Sequence, residues 1–149
     1  LKLNPSEYLD YQPNSDIDIL CKDKYNAASC IEKLLTQAGL KSRKYIAANN
    51  NLQVDVMNEN KLEIKFDLTD DLSCFSKIKL RKDLAYKILE GKIKYRSIFI
   101  PELKYDLATR LLEYFEYIEN PKKIKHLYYC NQYPNEKKIA IEIIQKNKL

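Results

Sequence analysis

The chain has 149 residues, 26 of them basic and 21 acidic, for a net charge of +5, and 45% of it is apolar. That suffices for a buried core in one domain, and no run of eighteen apolar residues is present to cross a membrane. Two glycines, Gly39 and Gly91, exclude a glycine-rich phosphate loop or dinucleotide fingerprint, and four scattered cysteines with one histidine and no CxxC pair argue against a zinc site. Cys21, Cys30, Cys74 and Cys130 read instead as reduced, partly buried thiols. With no basic stretch and apolar run at the N-terminus, the reading is a cytoplasmic protein without a secretory leader, its oligomeric state left open.

Leu1–Leu3 alternates briefly, as the end of a first strand does, and Asn4-Pro5-Ser6-Glu7 carries a helix-start signature. Capping of a short helix through Leu9 accounts for that tetrapeptide; a second use of the freed amides and the Ser6 hydroxyl is to grip a terminal phosphate. Tyr11-Gln12-Pro13-Asn14-Ser15 is a turn delivering the chain into Asp16-Ile17-Asp18-Ile19-Leu20. If this is a strand, Asp16 and Asp18 leave one face and the isoleucines the other. Two side-by-side carboxylates stay ionised either in open solvent, as a polar edge strand, or around a hard divalent cation.

Asp23 to Ala38 spaces Tyr25, Ala28, Ile31, Leu34, Leu35 and Ala38 as an amphipathic helix, with Gly39 supplying a left-handed stop. Residues 40 to 68 hold two or three strands, the last two, Leu52–Met57 and Leu62–Leu68, forming a hairpin around Asn58-Glu59-Asn60-Lys61. Each carries a carboxylate, Asp55 and Asp67, in an apolar-Asp-apolar setting. Arg43, Lys44 and Lys65 are candidate polyphosphate partners, although a solvated surface cation accounts for each.

Ser6, ten residues before Asp16, then Ser15-Asp16-Ile17-Asp18-Ile19-Leu20, a helix, and Phe66-Asp67-Leu68-Thr69 resemble the nucleotidyltransferase superfamily typified by DNA polymerase β. The likeness covers roughly residues 4 to 70, and more loosely residues to about 119. It implies an α+β fold, a small mixed sheet with flanking helices in residues 1–75 followed by an α-rich half in residues 76–149, packed as one compact domain. It also implies transfer of a nucleoside monophosphate from a nucleoside triphosphate to a hydroxyl of an unidentified acceptor, using Mg2+ or Mn2+ held by Asp16, Asp18 and Asp67. Ser6, Ser15 and Lys65 would bind the nucleotide. Asp67 is chosen over Asp55 because the segment after it is family-like. Where the family has Gly-Ser this chain has Pro5-Ser6, which opens the alternative of a catalytically inactive binding or regulatory module on the same fold.

Further on, Asp70 and Asp71 read as acids gathered at a helix N-terminus, Leu80 to Leu89 as a helix closed by Gly91, and Ile93–Ile100 as one strand that Pro101 ends. Pro101 opens the strongest helix, with Leu103, Leu107, Ala108, Leu111, Leu112, Phe115 and Ile118 on its apolar face, up to Asn120-Pro121. A basic helix from Lys122 to Tyr129 and a last one from Pro134 to Gln145 complete the chain. His126, among lysines, reads as a surface or helix-capping residue rather than a catalytic one. Tyr128, Tyr129 and Tyr133 suit packing between helices, with base stacking the other use. Nucleic-acid binding by this Lys/Tyr-rich half ranks last, since Glu113, Glu116, Glu119, Glu136 and Glu142 offset its charge.

Overall fold

The computed structural model describes residues 16–59 and 61–149, so Ser6, Ser15 and the turn before Asp16 lie outside the described residues. The chain divides into two compact units, Leu1–Cys74 and Phe75–Leu149, and the architecture is α+β.

In the first unit β1 (Asp16–Leu20) leads into α1 (Lys24–Gln37), followed by β2 (Lys41–Ile46), β3 (Leu52–Asn58) and β4 (Lys61–Thr69). The sheet order is β1-β4-β3-β2, with β1 parallel to β4 and the other pairs antiparallel. Asp23 caps α1 by accepting from the Tyr25 and Asn26 amides at 2.8 and 2.9 Å, and Gly39 at φ +73° ends the helix in a conformation that costs other residues more. Period-2 alternation then sorts the sheet. Leu52, Val54 and Leu68 are buried with Ala28, and Ile19, Ala27, Ile31, Leu35 and Phe66 pack around them. Tyr25 and Leu34, expected on the inner stripe of α1, are instead exposed, because Ala27, Ala28, Ile31 and Leu35 fill the contact. Burying one face against α1 forces Asp16, Asp18, Lys65, Asp67, Gln53, Asp55, Arg43 and Tyr45 onto the other.

The second unit holds α2 (Asp83–Glu90), a hairpin of β5 (Lys92–Tyr95) and β6 (Ile98–Pro101), α3 (Leu103–Glu116), a 3-10 turn at Pro121–Lys123, α4 (Ile124–Asn131) and α5 (Pro134–Asn147). Leu107, Ala108, Leu111 and Leu112 of α3, Cys130 of α4, and Ala140 and Ile144 of α5 make its core. Three sequence expectations need correction. The stretch Ile93–Ile100 is two strands turning at Arg96, whose φ of +52° is unusual for a residue with a side chain, and Pro101 ends β6 rather than opening α3. Phe115 and Ile118 are exposed, since α3 stops at Glu116 and the inward stripe ends at Leu112. No helix directly follows Asp70 and Asp71; Asp71 closes its own turn by accepting from the Ser73 amide at 2.9 Å. Gly91 does end α2, but at φ −81°, and what requires glycine is space: a Cβ there would lie 2.8 Å from Glu102 Oε1 and 2.9 Å from the Tyr105 ring.

His126 also departs from expectation. It is 6% exposed, on the inward side of α4 with Cys130, while Lys122 and Lys125 are exposed. Its Nε2 lies 3.5 Å from Glu113 Oε2, and Lys123 Nζ contacts Glu113 Oε1. One turn away, Arg110 Nε donates to Asp106 Oδ1 at 3.0 Å and its guanidinium lies 4.1 Å from the centre of the Tyr129 ring, which in turn packs on Tyr133. Burial pushes the Asp106 carboxyl up to about 6 against the pull of Arg110. For Glu113 burial also acts upward, but His126 and Lys123 together outweigh it and hold the group down at about 2 from an ordinary 4.5. A depressed folded-state pKa stabilises the fold above the unfolded value and loses that contribution as the pH falls toward the folded one. Glu113→Gln is therefore expected to destabilise the protein by about 1–3 kcal/mol at pH 7, with the gap to wild type closing between about pH 4.5 and 2 in urea titrations.

Candidate functional site

The face of the first sheet turned away from α1 carries two cross-strand rows of polar side chains. In one, Asp18 of β1 is in register with Asp67 of β4, Asp67 with Gln53 of β3, and Gln53 with Tyr45 of β2. In the other, Asp16 is in register with Lys65, Lys65 with Asp55, and Asp55 with Arg43. Register partners on neighbouring strands stand about 4.8 Å apart with side chains on the same face. The structure thus brings Asp16, Asp18, Lys65 and Asp67, chosen from sequence, to one seam between β1 and β4.

The two rows differ in charge. The second alternates acid, base, acid, base, and its ion pairs are made: Arg43 Nη2 donates to Asp55 Oδ2 at 2.8 Å, and Lys65 Nζ lies 3.7 Å from Asp16 Oδ1. The first places Asp18 directly beside Asp67 with only a neutral amide and a phenol further along. Asp67 feels this. Burial and the neighbouring Asp18 charge push its carboxyl up, while hydrogen bonding by the Asn51 and Gln53 side chains and, against that, the more distant Asp16 contribute less. Asp67 Oδ1 is buried with no hydrogen-bond partner among the described residues. An acceptor left in this state is costly, and it marks the point at which a cation or a proton donor would be stabilised.

Asp55, the rival third carboxylate, has a different role. It is 2% exposed, sits one strand further from β1, and is occupied by Arg43 and, at 3.5 Å, by the Tyr45 hydroxyl. Its setting is that of a structural ion pair. Arg43, proposed for polyphosphate, is committed to Asp55, although 68% of its side chain is exposed. Lys44 lies on the opposite face, paired with Glu32 of α1 at 2.6 Å, so it does not reach the carboxylates. Among the described residues no three His, Cys, Asp or Glu side chains are gathered closely enough to hold a metal ion as they are placed, and the Asp16 carboxylate has Lys65 beside it. In donor type the seam nevertheless fits a hard cation: all its acids are carboxylates, and one buried oxygen lacks a partner.

Sequence reasoning missed Asn51 and Gln53, both buried amides aimed at Asp67, and Lys24. Lys24 is 6% exposed at the first turn of α1, where its Nζ donates to the Asn50 carbonyl at 3.0 Å and pairs with Asp70 at 3.3 Å. This ties α1 to the end of β4 and to the turn that ends in Asn51. No local sequence signal marks it, since its partner Asp70 lies far along the chain. Cys21, near the end of β1, has its thiol pushed up to about 11 by burial and by Asp70, so it offers no nucleophile to the site.

No protein-family model matches this chain, and no curated protein or solved structure matches it either.

The contrast between the two acids of the inner strands yields opposite expected outcomes. Asp55→Asn should destabilise by about 1–3 kcal/mol, because a neutral amide replaces the buried carboxylate that accepts from Arg43. Asp67→Asn, which removes a buried charge beside a like charge, should leave stability unchanged or raise it in urea titrations.

Proposed function

We propose that the seam between β1 and β4 is the active centre of a metal-dependent nucleotidyltransferase, which moves a nucleoside monophosphate from a nucleoside triphosphate to an acceptor hydroxyl. The observation that carries this reading is the register of Asp18 with Asp67, on the one sheet face not covered by α1, with Asp16 one pair away. Two carboxylates in register on neighbouring strands repel each other, which is uneconomical in a purely structural strand pair. They are serviceable if a Mg2+ or Mn2+ ion completes them, and such an ion would neutralise the triphosphate and make the acceptor hydroxyl more acidic.

The roles of the protein's own groups follow from their places. Asp16 and Asp18, on β1, the outer strand of the sheet among the described residues, would hold the cation and present the triphosphate. Asp67 would share that cation and take the proton of the attacking hydroxyl. Its carboxyl is deeper, and Asn51 and Gln53 fix its orientation, as proton transfer at a defined position demands. The acceptor oxygen forms a bond to the α-phosphorus, the bond from that phosphorus to the β-phosphate bridging oxygen breaks, and pyrophosphate departs with the electron pair. The α+β architecture and the motif Ser15-Asp16-Ile17-Asp18-Ile19-Leu20 with Phe66-Asp67-Leu68 agree with the nucleotidyltransferase-like fold that the sequence suggests.

A second reading, a catalytically inactive module of the same fold, draws on Pro5 in place of the flexible glycine of such enzymes. The two readings separate in one comparison. With each of the four nucleoside triphosphates and Mg2+, wild-type protein should gain thermal stability with at least one, and release pyrophosphate when offered acceptor hydroxyls. Asp16→Asn, Asp18→Asn and Asp67→Asn should each lower pyrophosphate release by about a hundredfold or more with the circular dichroism spectrum unchanged. Thermal stabilisation by a nucleotide without turnover would favour the module, and undiminished turnover in Asp18→Asn would remove the carboxylates from the mechanism.

A further inference from the structure

The positive charge of the second unit is concentrated in one stretch. Between Lys77 and Arg96 stand eight basic residues and two acidic ones, a net +6 against +5 for the whole chain, so the rest of the sequence is close to neutral. All eight basic side chains are exposed, and among the described residues only Lys87 makes an ion pair, with Asp83 at 2.8 Å. Of the glutamates that offset the charge of this half, Glu116 reaches the start of the stretch, where it accepts from the Lys77 amide at 2.8 Å. At its other end the acids flanking β5 and β6 in sequence are Glu90 and Glu102, and Glu102 is paired with Lys104 at 2.6 Å. The hairpin itself, from Lys92 to Pro101, carries Lys92, Lys94 and Arg96 and no acid.

That hairpin gives the charge an aromatic platform. Lys94 is in register with Phe99 and Lys92 with Pro101, so these four share one face, and the buried Ile100 marks the opposite face as the inward one. On the outer face Phe99 is 62% exposed. Lys92 Nζ, which donates to the Leu89 carbonyl at 3.0 Å, lies 5.5 Å from the centre of that ring, and at the turn the Arg96 guanidinium lies 5.6 Å from the ring of Tyr95. The turn, Arg96-Ser97, is polar where a membrane-inserting segment would be apolar, so a bilayer is the poorer fit. An open ring bordered by cations suits a chain that alternates flat bases with phosphates. We propose that the outer face of the β5–β6 hairpin binds single-stranded nucleic acid, with one base stacked on Phe99 and the flanking phosphates held by Lys92, Lys94 and Arg96. The contact is sequence-tolerant, because every base has a π-face. It does not rest on the reading of the carboxylate seam.

Stacking and charge are separable by fluorescence anisotropy with the full chain and labelled strands of about twelve nucleotides. The probes are single-stranded RNA and DNA of mixed sequence and an abasic DNA strand of the same length. The base-bearing strands are expected to bind about fivefold or more tighter than the abasic one, and Phe99→Ala to weaken them about 5- to 50-fold while leaving the abasic strand unchanged. Phe99→Leu, which keeps an apolar side chain on the hairpin, should lose as much and serves if the alanine variant folds poorly, whereas Phe99→Trp should retain binding. Lys92→Gln and Lys94→Gln should each make the fall of log affinity with log salt shallower by about 0.7. Equal affinity for base-bearing and abasic strands, or undiminished binding in Phe99→Leu, overturns the proposal and leaves only a general polyanion surface. Failure to bind any single strand overturns it as well, and binding of phosphatidylserine vesicles in their place would make the face a membrane contact.

Discussion

The unit formed by Leu1–Cys74 depends on one constraint: a face of its sheet must be buried against α1, and because side chains alternate along a strand, everything on the other face is fixed in the same stroke. Leu52, Val54 and Leu68 could not pack on Ala28 if β3 or β4 slipped by one residue. With that register set, Asp67 has no choice but to meet Asp18. The hydrophobic contact on one side thus enforces an electrostatic strain on the other. Burial and a like charge both oppose the ionised Asp67, and two amides only partly answer them.

The sheet manages its charges unevenly. Where acids alternate with bases across the strands, as in Asp16, Lys65, Asp55 and Arg43, the arrangement stabilises itself and asks for nothing from outside. Where two acids meet in register instead, as Asp18 and Asp67 do, like charges stand side by side. Natural proteins tolerate such local cost where it serves a site, and the neighbouring residues then carry the stability. Lys24 and Asp70, tying α1 to the end of β4, have that supporting position, as does the Arg43–Asp55 pair at the far side.

Much of this was legible in the residues themselves. Alternation in Leu52–Met57 and Leu62–Leu68, the Asp23 cap and the Gly39 stop announce β3, β4 and α1, because in each the local propensity agrees with the packing. Other features were not local. Nothing within Asp55 or Asp67 tells which of them meets Asp18, since their flanks are equally apolar; the difference is the strand order, which puts β4 and not β3 beside β1. The hairpin at Arg96 went unread because its turn has no glycine, asparagine or aspartate to betray a positive φ. His126 was misjudged by its lysine neighbours in sequence, whereas on a helix the relevant neighbour is Cys130, one turn on, which faces the core. Asn51 and Gln53 escaped because an amide acquires meaning only from the acid that it touches.

The central claim is that the meeting of Asp18 and Asp67 exists to hold a cation for a nucleotide. Its most direct test is a crystal of the protein grown with Mn2+ and a non-hydrolysable nucleoside triphosphate, measured at a wavelength where manganese scatters anomalously. The account predicts an anomalous peak between β1 and β4, in coordination contact with Asp18, Asp67 and a phosphate oxygen. An anomalous map with no peak at that seam, while Asp18 and Asp67 keep the same register, would contradict it.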